Sequence, residues 1–172
     1  MNSELSHLLM GKDLRTNKRS QAIILRIKDQ PAFDELFAFL FHHERPLVMR
    51  TADAIEKITR TRAEFLQPHK AHLFSLLKTS DHIELKWHIA QLLPRVTLLE
   101  KEREQVWNTL HYWALNPNES KIVRVNALQG LYDLSLQHPE LKEQFMHTLN
   151  GMEHEPIPSI QARIRKLRKL SR

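Results

Sequence analysis

Cysteine is absent from the 172 residues, which excludes disulfides and thiolate chemistry and agrees with a reducing compartment. Glycine occurs three times, too few for a loop that cradles phosphate through glycines. There is no Gly-Lys-Ser/Thr loop, nucleophile elbow or dinucleotide fingerprint. No apolar run approaches the roughly 20 residues of a membrane-spanning helix. Met1 to Met10, with a Glu, a His and only a brief apolar patch, reads as neither signal peptide nor anchor. No stretch alternates with period two over strand length, so no sheet is expected. These absences point to a cytoplasmic protein without membrane association. What is present, 41% hydrophobic and 27% charged residues, is ordinary for one globular domain with a sizeable core.

The chain is built on a helix-length phrase that recurs four times, starting at Leu47, Leu85, Val123 and Ser159, or 38, 38 and 36 residues apart. Counting each first residue as zero, Ala52, Ala90, Leu128 and Ile164 stand at +5. Ile55, Leu93, Leu131 and Leu167 stand at +8, and Ile58, Val96, Leu134 and Leu170 at +11. These offsets share one face of a helix. The opposite face, at +3, +6 and +10, is polar at eleven of twelve positions. A second helix precedes each phrase, since Leu36, Leu73 and Leu110 are spaced by 37 residues. Pro31, Pro68 and Pro139 fall where the first, second and fourth of these helices should begin, a position that has no use for the missing N–H. Pro94, inside the second phrase, should kink or shorten its helix. One such hairpin cannot bury its apolar face alone, and stacking makes a continuous core.

Val123-Arg124 followed by Ala127, Leu128 and Leu131, with Leu85-Lys86 as a conservative version, resembles the HEAT repeat over roughly residues 31–170. The resemblance implies an all-α, right-handed α-α superhelix of about four hairpins and a generic protein-binding role, with no chemistry attached. The hairpins are expected at about 31–60, 68–97, 101–136 and 139–170, within a domain of residues 20–172. Residues 1–19 read as a polar lead-in, and Ser20 to Ile27 as a helix capping the first repeat. The resemblance also implies that Lys86 and Arg124 pair with neighbouring turns, with Asp81 or Asn118 as candidate partners.

In solenoids of this kind the second helices line the concave surface, so the polar ladder is the candidate site. Arg50, Asp53, Lys57, His88, Gln91, Arg95, Gln129, Arg165 and Lys169 are its expected polar contacts to a protein segment. Trp87, with Met49 and Val125, stands at +2 on the edge of that face as an apolar anchor. The alternative partner is nucleic acid. Arg163, Arg165, Lys166, Arg168, Lys169 and Arg172 crowd the last ten residues without an acid, and equal the whole formal charge of +6. Against it, residues 29–160 hold 14 basic and 18 acidic side chains, and Asp53 and Asp133 interrupt the ladder. Trp107 and Trp113, beside Val106 and Leu110, read as packing. The chain has eleven histidines and two His-Glu dipeptides, His43-Glu44 and His154-Glu155. The dipeptides lie near loops at non-equivalent repeat positions, so neither metal nor cofactor is expected.

Overall fold

The computed structural model describes the backbone of residues 3–10 and 16–171. Every regular element among them is helical. The chain divides into two compact units, residues 1–72 and 73–172.

The first unit holds α1 (Ser3–Met10), α2 (Thr16–Arg26), α3 (Gln30–Ala38) and α4 (Arg45–Ile58). Helix α3 starts where Asp29 accepts the Ala32 N–H at 3.0 Å and Pro31 occupies the first turn. It tightens into a 3₁₀ turn over Phe39–Phe41, and the chain re-enters helix at Arg45 with Pro46 in the first turn. Phe33, Leu36, Phe37, Leu47, Ile55 and Ile58 form the core. Helices α1 and α2 both pack on α4, burying Leu5, Leu9, Ile23 and Ile27. The expected capping helix therefore starts earlier than Ser20. Part of the expected lead-in is itself helical, because Leu5 and Leu9 stand one turn apart and give α1 an apolar stripe. Residues 11–15 of that lead-in lie outside the described residues. After α4 a 3₁₀ run over Ala63–His69 carries Pro68. There the His69 ring lies flat on Phe37, with centroids 3.9 Å apart, and its Nε2 is 2.7 Å from Asp34 Oδ1.

Helix α5 (Lys70–Thr79) crosses the unit boundary. The second unit continues with α6 (Ile83–Leu92), α7 (Glu100–Leu115), α8 (Lys121–Gln137), α9 (Lys142–Gly151) and α10 (Pro158–Leu170). Pro94 does what its covalent geometry requires: α6 stops at Leu92 and a 3₁₀ turn follows over Leu93–Arg95. Ser120 begins α8 by accepting the Val123 N–H at 3.3 Å.

Helix α8 is the centre of this unit and packs on α6, α7, α9 and α10. It is buried on more than one side. Val123, Ala127, Leu128, Leu131 and Leu134 supply the expected stripe, while Arg124, Gly130, Tyr132 and Ser135 are covered as well. Trp107 and Trp113 on α7 are buried packing residues, as their neighbours Val106 and Leu110 suggested.

Candidate protein-interaction surface

Two cations at the same repeat offset form ties inside the second unit, one half-buried and one nearly fully buried. The Lys86 ammonium contacts Glu119 Oε1 and lies 5.5 Å from the Trp113 ring centroid. Arg124 sits one repeat on. Its Nε donates to the Ala114 carbonyl at 3.0 Å, and its Nη1 and Nη2 grip Glu155 at 3.3 and 2.5 Å. The Arg124 and Glu155 side chains are 4% and 9% exposed, so this is a desolvated, bidentate pair. The structural role expected of both cations holds, with different partners. Asp81 is exposed and lies 3.8 Å from His82 instead, and Asn118 hydrogen-bonds within its own turn. The partners are the acids in the turns that lead into α8 and α10, which are distant in sequence.

On the ladder face of the same unit, polar side chains are tied from helix to helix. Arg163 on α10 donates Nη1 to Gln129 Oε1 at 2.5 Å, and Gln129 donates Nε2 to Asp133 Oδ1 at 2.7 Å. Burial pushes the Asp133 carboxyl up from its ordinary value. The Gln129 hydrogen bond and the charges of Arg95 and Arg163 oppose that shift. Gln137 donates Nε2 to the Pro94 carbonyl at 2.7 Å, joining the end of α8 to the turn after α6. Asp133 carries the centre of this row. Its position in the ladder was legible, but its burial depends on helices that meet only in the folded chain.

The other expected contacts divide plainly. Gln91 is half-buried and donates to the Trp87 carbonyl at 3.3 Å. Trp87 is half-buried beside it. His88 departs from expectation. It is 2% exposed, its ring is stacked on Trp87 with centroids 3.5 Å apart, and its Nδ1 donates to the Glu84 carbonyl at 2.7 Å. A ring turned back along its own helix offers no partner contact. Arg165 and Lys169 are exposed. In the first unit, Lys57 pairs with Asp53 at 2.7 Å, and Arg50 donates to the Leu9 carbonyl at 2.6 Å, so the end of α1 already occupies Arg50.

The basic C-terminal helix is less free than its composition suggests. Arg163 is committed to Gln129. Arg168 reaches the Leu149 carbonyl at 3.1 Å, Asn150 at 3.2 Å and Glu153 at 3.8 Å. Arg165, Lys166 and Lys169 remain exposed, and Arg172 lies outside the described residues.

Hairpins of apolar-striped helices, tied to one another through repeat-equivalent side chains, define an all-α helical-repeat protein. The chain belongs to the HEAT repeat domain family, whose model matches residues 11–170. Repeats of this family are generally protein-interaction scaffolds and typically non-enzymatic. Searches of curated proteins and of solved structures find no match. Among the described residues, no helix is long and apolar enough to cross a membrane.

Proposed function

We propose that the protein is a non-enzymatic binding module. In this reading, the ladder face of residues 73–172 receives an acidic segment of another protein. The carrying observation is the half-buried row Arg163, Gln129 and Asp133, joined by hydrogen bonds from Arg163 to Gln129 and from Gln129 to Asp133, with the charge of Arg95 acting on Asp133 and with Arg165 and Lys169 exposed on the helix that carries Arg163. Side chains already ordered by one another lose less entropy when a partner arrives. Residues 161–172 contain no acid, so the charge complement of this edge is a carboxylate-bearing partner. Trp87 and Val125, both half-buried, supply apolar anchors.

The test is a pull-down from nuclease-treated lysate with wild-type bait beside an Arg165→Glu, Lys169→Glu bait. Both side chains are exposed, so the variant should fold normally. A protein recovered by wild type alone supports the reading. Equal recovery by both baits removes the ladder edge as the site. Nucleic acid recovered only without nuclease, and lost steeply with salt, would replace the protein partner with a polyanion.

A further inference from the structure

The two His-Glu dipeptides look alike in sequence and differ in structure. Glu155, of the second pair, is buried with both carboxylate oxygens taken by Arg124, and its Oε1 also accepts the Ile157 N–H at 3.3 Å. Both of its oxygens are engaged within the fold. The first pair stands in the turn between the 3₁₀ segment Phe39–Phe41 and α4, and there a third donor joins it. One ligand atom each from His42, His43 and Glu44 lie within 4.8 Å of one another. No second such group occurs among the described residues.

We propose that His42, His43 and Glu44 bind a divalent transition-metal ion of the imidazole-preferring class, with Zn²⁺ and Ni²⁺ as its simplest members. Two imidazoles and a carboxylate favour such ions over Mg²⁺ or Ca²⁺, which select oxygen. An ion about 2.1 Å from each ligand in a tetrahedral site sets those ligands about 3.4 Å apart. His43 Nε2 and Glu44 Oε1 already stand 3.9 Å apart. The His43 side chain is 84% exposed and that of Glu44 41%, so both can turn inward without disturbing the core. His42 is the fixed member. It is half-buried, its ring lies 6.4 Å from that of Phe39, and the His43 ring stacks on it with centroids 4.2 Å apart.

The geometry carries its own signature. His42 Nδ1 accepts the Glu44 backbone N–H at 3.1 Å, which places the proton of the neutral ring on Nε2. An ion bound through Nδ1 takes the lone pair that this N–H uses. An ion bound through Nε2 requires the proton to move to Nδ1, which then repels the same N–H. Either way the Glu44 amide loses its acceptor. A bound ion would tie the turn after α3 to the start of α4.

The experiment titrates Zn²⁺ into the full-length chain in a non-chelating buffer, followed by calorimetry and by the Glu44 amide resonance. Saturable binding should shift that resonance, and Mg²⁺ at equal concentration should not. His43→Ala and Glu44→Gln should each weaken binding at least tenfold with unchanged helical circular dichroism. His154→Ala should bind as wild type does. The proposal is overturned if no binding occurs, if the His43→Ala and Glu44→Gln variants keep the wild-type isotherm, if Mg²⁺ competes on equal terms, or if the Glu44 amide stays put at saturation.

Discussion

The Cα of Gly130 on α8 faces the carbonyl of Ala90 on α6, so closely that a Cβ built there would lie 2.5 Å from the oxygen. The same Cβ would meet Leu110 Cδ1 at 2.8 Å and Pro94 Cγ at 3.4 Å. Residue 94 is the one whose N–H would normally serve the Ala90 carbonyl, and proline has none. The proline that ends α6 thus leaves this carbonyl without its helical donor at the point where α8 comes nearest. A Cα–H directed at it is the contact a glycine permits.

Gly130→Ala puts two effects in opposition. Alanine in a helix interior gains about 1 kcal/mol of propensity over glycine. The clash forces a backbone oxygen and a core leucine to move, which costs about 1–3 kcal/mol in overpacked cores. A backbone oxygen yields less than a side-chain tip, so the variant should be net destabilised. Urea denaturation read by circular dichroism would check this. A variant as stable as wild type would mean that α6 and α8 can separate without loss.

Arg124→Ala should destabilise by roughly 3–5 kcal/mol, because it strands a buried Glu155 and removes the donor to the Ala114 carbonyl. Arg124→Met combined with Glu155→Met should recover much of that loss, since an apolar pair replaces a desolvated ionic one. A double variant as unstable as the single one would show that packing, not stranded charge, sets the cost.

Asp133 predicts a pH dependence of definite sign. Its folded pKa is raised above 3.8 by burial, so the folded state holds the proton more tightly than the unfolded one. Its contribution to stability is then greatest below 3.8 and declines as pH rises through that value toward the raised one. Asp133→Asn should remove this decline. The difference between wild-type and variant unfolding free energies, measured from pH 3 upward, isolates it from other carboxylates. Asp34 shifts the opposite way, held down first by the Gln30 hydrogen bond. A wild-type-minus-variant difference that stays flat with pH would contradict the assignment.

The helical repeats were legible because their signal is local and periodic. The stripe through Ile55, Leu93, Leu131 and Leu167 is buried as its phase requires. The stop after Leu92 follows from proline's missing N–H, and the start of α8 follows from the Ser120 hydroxyl. The individual site residues were less legible. His88 has the phase of an outward residue, but a neighbouring indole and a carbonyl one turn back draw its ring inward. Arg50 has the same phase, and the end of α1, forty-one residues earlier, takes its donor.

The positions of the repeat helices, the apolar stripe, the breaks at proline and the basic character of α10 were therefore determined by the amino-acid sequence alone, whereas helix α1 within the expected lead-in was not. Each of the former depends on residues within about one or two helical turns of each other. Only the tertiary structure decided that Lys86 meets Glu119 and Arg124 meets Glu155, thirty-three and thirty-one residues away. Only it decided that Gly130 must remain side-chain-free, and that Glu155 is spoken for while Glu44 stands beside two imidazoles. Those outcomes depend on how far apart packed helices lie and how each is rotated against its neighbour. Periodicity along one helix leaves both free.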